Sequence, residues 1–256
     1  MERMLRPPFA QSSDYAQLAT EPEESTMSSE ETQLPIAGES TLRARPGVSD
    51  RDSARALFGQ VMGLVALTVG CAALGAYLGR NLSGGVGIGA FVLAFGCIFG
   101  LQIATARGRE QLAIGFLFGL GVLLGAAVGP VLRQYAESQP AVLWQAAGAT
   151  AAFVGGLGTL GYATRRDLSV YARALFFALL ALIVFGLVAI FVAIPHANII
   201  YAVLGLVIFG GFTVVDFNRL RHGGQDFAVP IAASIFLDVF NVFLFFLQLF
   251  GGGRRS

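Results

Sequence analysis

The sequence predicts an all-α integral membrane protein with seven transmembrane helices, on three observations. Of the 256 residues, 55% are hydrophobic and only 13% charged, against about 25% charged in a soluble domain. The acidic residues are also unevenly placed. Residues 1–52 hold ten of the sixteen acids and five of the seventeen arginines, a local net charge of −5. Beyond them, apolar runs of about 20 residues recur, each long enough to cross about 30 Å of hydrocarbon. A chain so poor in polar surface cannot cover a single water-soluble core.

Two regions follow. Residues 1–52 are rich in Ser, Glu, Pro and Thr and have no sustained periodicity, so they read as a disordered acidic cytoplasmic tail. Arginines near the start lead into a polar stretch instead of an apolar one, and no cleaved signal peptide is expected. Residues 53–256 form the membrane domain, with spans near 57–79, 86–106, 112–133, 141–163, 173–194, 199–219 and 228–249. The breaks between them are polar or Gly/Pro-containing, such as 80–85, 107–110 and 134–140. Pro140 and Pro230 fall where a first helical turn tolerates a missing N–H. Short connections make neighbouring spans antiparallel.

Arginine placement sets the orientation. Arg43, Arg45, Arg51, Arg55, Arg107, Arg109, Arg165, Arg166, Arg173, Arg219 and Arg221 flank one face, and Arg80, Arg133, Arg254 and Arg255 the other. The arginine-rich face is cytoplasmic by this rule, which puts the N-terminus inside and the C-terminus outside an inner (plasma) membrane. Tyr77, Tyr135 and Trp144 near the outer ends, with Tyr162 and Tyr171 near the inner ends, suit interfacial anchors. In the third span Gly115 and Gly119, then Gly121, Gly125 and Gly129, recur at spacing four, the pattern of a flat ridge for close helix packing.

Several chemistries are excluded. The chain has no lysine, so it cannot form a retinal Schiff base. Cys71 and Cys97 both lie in apolar runs and read as small buried hydrophobes. His196 and His222 are too few for a zinc hydrolase site. No Ser/His/Asp set, phosphate loop or nucleic-acid-binding pattern is visible, and the expected protein is not an enzyme.

Two acids stand out. Asp238 lies in the middle of the last span and Asp216 inside the cytoplasmic end of the sixth. A carboxylate at that depth costs a few kcal/mol, so it faces the bundle interior and finds a partner. In the last span the polar residues Ser234, Asp238, Asn241 and Gln248 fall at about 0°, 40°, 340° and 320° around the helix, one polar seam about 80° wide. Such a helix suits a central position. At 1.5 Å per residue, Asp216 lies about 9 Å and Asp238 about 12–16 Å from the turn between their spans, nearly level. Two carboxylates in contact at low dielectric cannot both ionise comfortably and can share a proton. They are also hard oxygen ligands suited to Ca²⁺. Arg107, at the inner end of the second span, is a candidate state-dependent ion-pair partner for Asp216.

The run Gly161-Tyr162-Ala163-Thr164-Arg165-Arg166-Asp167-Leu168 resembles the signature between spans four and five of the Bax inhibitor-1 family. Val215-Asp216-Phe217-Asn218-Arg219 resembles its span-six Asp motif, and Leu237-Asp238-Val239-Phe240-Asn241-Val242-Phe243-Leu244 its span-seven motif. Gly129-Pro130 resembles the small-Pro pair ending span three. The likeness covers about residues 55–250. It implies six helices surrounding a central C-terminal seventh, with an aspartate pair, Asp216 and Asp238, sensing pH and gating a Ca²⁺ leak. Arg107 would map onto the basic partner. One departure is that bacterial members carry an acidic residue in the second span, where residues 86–106 here have none and Gln102 is the nearest polar group. The expectation is a pH-sensitive calcium leak channel, with Ca²⁺ and H⁺ as the ions, the lipid bilayer as surroundings and no bound cofactor. The alternative is a non-conducting regulator that binds a membrane protease or stress-response complex. Intramembrane aspartyl proteolysis lacks its Tyr-Asp and Gly-x-Gly-Asp motifs here.

Overall fold

The computed structural model describes residues 46–192, 195–223 and 227–252. The described residues form seven helices and no strands: α1 (Pro46–Gly79), α2 (Gly84–Ala106), α3 (Glu110–Ser138), α4 (Pro140–Ala163), α5 (Ser169–Phe191), α6 (Ala197–His222) and α7 (Ala228–Gly252). All seven are long and apolar enough to cross a membrane. The backbone of 46–52, assigned by composition to the tail, is already helical within α1. The remainder of the tail, residues 1–45, lies outside the described residues. Pro140 occupies the start of α4, and Pro230 falls in the first turn of α7, where neither removes an intrahelical bond.

Packing is uneven. α7 packs against α1, α2, α3, α4 and α6. Half of the residues in its apolar window are buried, against 6% in α5, which rests chiefly on α6. Large apolar side chains such as Phe91, Phe177, Ile190 and Phe191 are exposed. Exposure on that scale would be untenable in water, but it is the normal outer surface of a bundle in lipid.

The tightest seam joins α1 to α3 and is made by glycine on both sides. A Cβ at Gly125 would sit 2.0 Å from the Ala72 carbonyl oxygen, at Gly129 2.6 Å from that of Ala76, and at Gly121 2.7 Å from that of Thr68. In return, a Cβ at Gly75 or Gly79 would fall 2.1 Å from the Val122 carbonyl oxygen or 2.5 Å from that of Ala126. Backbones can approach this closely only without side chains between them. Pro130 contributes too. Lacking an N–H, it leaves the Ala126 carbonyl without its intrahelical donor, and that carbonyl is the one facing Gly79. The other expected glycine series does not join the seam. Nothing lies within 4 Å of a Cβ at Gly115, and Gly119 makes ordinary contact with Cys97 Sγ at 3.6 Å. Gly161 makes the same kind of approach between α4 and α6, where a Cβ would fall 2.2 Å from the Val214 carbonyl oxygen.

Candidate functional site

The last turns of α6 and the middle of α7 bring four polar side chains into an otherwise apolar layer. Thr213 and Asp216 stand three residues apart on α6, and Ser234 and Asp238 four apart on α7, so each pair occupies one helix face. Asp216 and Asp238 are each only 4% exposed, and Thr213 is fully buried. The two carboxyls are near neighbours across the α6–α7 interface.

The two acids have different surroundings. Ser234 Oγ donates to Asp216 Oδ2, and Arg219 Nη1 lies 3.3 Å from Asp216 Oδ1. Arg219 is half exposed, so it reaches the buried carboxylate from the rim by laying its stem along the helix. Asp238 has less support. Thr213 is beside it, but the Thr213 hydroxyl donates its proton to the Phe209 carbonyl at 2.8 Å. Asp238 Oδ2 is buried with no hydrogen-bond partner. A bare carboxylate oxygen there would be costly, whereas a protonated one has an acceptor at hand in Asp216. The arrangement is suited to holding one proton between two acids.

Two sequence expectations need correction. The guanidinium on Asp216 in this structure belongs to Arg219, one turn along the same helix, and not to Arg107. Arg107 is exposed at the C-terminal cap of α2, with its N–H on the Ile103 and Ala104 carbonyls. Asn241 lies on the polar seam by phase but turns back on its own helix, donating to the Leu237 carbonyl at 2.7 Å. Sequence reasoning passed over Thr213 and Arg219, although both are one helical turn from Asp216 and share its face. A resident Ca²⁺ ion fits poorly. The cluster offers at most six oxygens, the lower limit of what Ca²⁺ takes, and both oxygens of Asp216 are already engaged by Arg219 and Ser234. Among the described residues no three His, Cys, Asp or Glu side chains gather to hold a metal.

Behind the aspartates, the end of α6 grips the α4–α5 connection. Asn218, fully buried, donates from Nδ2 to the carbonyls of Thr164 at 2.9 Å, Arg166 at 3.0 Å and Gly161 at 3.3 Å, and accepts from the Leu168 N–H at 2.9 Å. Arg221 donates to the Tyr162 and Ala163 carbonyls at 2.8 and 3.0 Å. Asp167 accepts from the Ser169 N–H at 2.8 Å at the start of α5, and that hydrogen bond holds its carboxyl below the ordinary carboxylate range. The segment Gly161–Leu168 is thus folded onto the same helix that carries Asp216.

The family described as "Inhibitor of apoptosis-promoting Bax1" matches residues 54–255. The chain belongs to the Bax inhibitor-1 family. Several relatives are bacterial proteins. A Caulobacter vibrioides protein is 34% identical over 144 residues, 52% of this chain and 56% of that one. A Helicobacter pylori protein is 27% identical over 162 residues, 63% of this chain and 70% of that one. A Vibrio cholerae protein, described as an uncharacterized membrane protein, is 29% identical over 160 residues, 62% and 71% of the two chains. The Caulobacter match therefore spans little more than half of that relative's length. Family membership and a multi-pass membrane location accord with the seven helices.

Proposed function

We propose that this Bax inhibitor-1 family protein is a pH-sensitive cation (Ca²⁺) leak channel of the bacterial inner membrane, gated by proton sharing between Asp216 and Asp238. The observation that carries the reading is the burial of two neighbouring carboxyls on the packed helices α6 and α7, one of which has an oxygen with no partner. With a proton between them the pair is a hydrogen bond joining α6 to α7. Without it, two like charges abut at low dielectric and the helices must repack. Each protonation state thus favours its own α6–α7 packing, and that bistable contact is the gate.

Access from the arginine-rich face is supported by a cavity of about 570 Å³ lined by Gln60, Thr105, Glu110, Val229 and Pro230. Pro230 precedes Asp238 by eight residues, about 12 Å along α7. Eleven arginines on that face against four on the other support a cytoplasmic N-terminus and an outside C-terminus. Ca²⁺ is the cargo here, attracted by carboxylates and not permanently bound.

The test is Ca²⁺ flux into proteoliposomes between about pH 6 and 8 for the wild type and Asp238→Asn. Asn keeps the side-chain volume but cannot change charge, so the variant should conduct with a flat pH profile. Identical profiles for the two proteins overturn the sensor. Absence of flux at every pH, with a membrane protease co-purifying from native membranes, would replace this reading with a non-conducting regulator.

A further inference from the structure

At the ends of α1 and α3 remote from Asp216, two cavities lie side by side. The outer one, about 530 Å³, is rimmed by Tyr77, Arg80, Asn81, Arg133 and Glu137. The inner one, about 410 Å³, runs between α1 and α4 with α7 as its floor, where Phe236, Val239 and Phe240 face it. Ala76 and Leu132 line both. The inner crevice lies where α1 and α4 are not closely packed; the two helices touch near the opposite end, where the Phe58 and Tyr162 rings meet edge to face at 5.3 Å. Its walls are apolar, and the hydroxyl of Thr150 on its α4 wall is already bonded to the Ala146 carbonyl at 2.7 Å. Nothing there would hold water, which needs two or more polar partners.

We infer that the two adjoining cavities together form a binding site for one anionic phospholipid, its phosphate at Arg80 and Arg133 and an acyl chain in the crevice. Charge favours this occupant. Arg133 is fixed on two sides, by Nε to Glu137 Oε1 at 2.6 Å and by Nη1 to Asn81, so its orientation is set before any ligand arrives. The Arg80 guanidinium stacks over the Tyr77 ring, 4.2 Å from its centroid. Stacking uses its face and leaves its N–H edge free for a phosphate. Two arginines and one glutamate give the rim a net charge of +1. A phosphatidylglycerol headgroup complements that charge, and a choline headgroup adds an opposing cation.

Length also fits. Arg80 and Val69 are eleven residues apart on α1, and Leu143 and Val154 eleven apart on α4, both about 16 Å at 1.5 Å per residue. That is about half the hydrocarbon thickness, the depth of one leaflet. An acyl chain of ordinary length would end against Phe236 and Val239, the near neighbours of Asp238 on α7.

Native mass spectrometry of the detergent-purified full chain tests the assignment. It would be titrated with phosphatidylglycerol, phosphatidylcholine and inorganic phosphate in separate arms. Phosphatidylglycerol adducts should persist above the phosphatidylcholine ones, and inorganic phosphate alone should not be retained. Arg80→Gln, whose parent side chain makes no hydrogen bond in the described residues, should cut phosphatidylglycerol retention about tenfold. Ala147→Phe, on the crevice wall, should reduce retention of both lipids while the thermal unfolding midpoint stays near wild type. Retention unaffected by either variant overturns the site. Phosphate retention insensitive to Ala147→Phe would overturn the lipid and leave only an anion pocket.

Discussion

Where α1 meets α3, backbone lies on backbone, and five glycines on the two helices stand against carbonyl oxygens. Where α6 meets α7 and the α4–α5 connection, the helices are held by side chains instead: Asp216, Ser234 and Asp238 on one side, Asn218 and Arg221 on the other. The difference is physical. In lipid, apolar side chains gain little by leaving their surroundings for a protein interior, so a permanent seam is built from close van der Waals approach. Such a seam has one geometry. A polar seam can be made in more than one protonation state and hence in more than one geometry. The first interface therefore serves as frame, and in the proposed function the second is the part that changes.

The largest expected effect comes from breaking the frame. Gly125→Val places a Cβ about where the Ala72 carbonyl oxygen already is, and the partner is backbone, which cannot swing aside. The cost should be about 3 kcal/mol or more, read as loss of folded protein in detergent thermal unfolding. The same helix contains its own control. Gly115→Ala meets nothing within 4 Å and should be neutral, or stabilise by up to about 1 kcal/mol through helix propensity. If both substitutions cost the same, the seam is not the frame.

This pair of glycines also marks how far the sequence could be read. Spacing four was visible at Gly115/Gly119 and at Gly121/Gly125/Gly129 alike, and the spans themselves follow from hydrocarbon thickness. Which series meets α1 depends on the rotation of α3 about its axis, fixed by Gly75 and Gly79 on another helix, and pattern alone carries no such information. The aspartates were legible for the opposite reason: a buried charge is an anomaly wherever it falls, and its need for a partner points across the bundle. Their neighbours were harder to read. Thr213 and Arg219 are ordinary residues on α6 until the carboxyls are placed. Arg107 was a plausible partner by depth, but Arg219 is tethered three residues from Asp216 and loses less freedom in reaching it.

Breaking the polar side should cost less than breaking the frame, and in a different way. Asn218→Ala removes four hydrogen bonds at once and leaves the Leu168 N–H and the Thr164 and Arg166 carbonyls to find other partners. Several of these groups are near the helix ends, where water can replace the lost amide, so the expected loss is about 2 kcal/mol. Protease nicking within residues 161–168 should rise alongside, because the connection loses its anchor while the helices stay packed. A variant that unfolds globally without a local increase in cleavage would place Asn218 with the frame instead.

The smallest effect should come from Asp167→Asn, at the exposed edge of that connection. Asn keeps an acceptor for the Ser169 N–H and removes only the charge. The wild-type carboxyl is held below its ordinary value of 3.8, first by the Ser169 backbone hydrogen bond, then by the Ser169 hydroxyl, with weaker pulls from His222 and Arg219. A depressed carboxyl stabilises the fold above its unfolded pKa, and that stabilisation is lost as pH falls through the folded value. The wild type should therefore unfold at a slightly higher temperature than the variant near neutrality, with the gap constant down to about pH 5 and closing below it. Thermal unfolding at several pH values between about 3 and 7 reads this directly. A gap that persists at the acid end would mean that the oxygen's geometry, and not its charge, holds the start of α5. In that case the α4–α5 connection would behave as a rigid extension of α6, moving with Asp216 whatever its own ionisation.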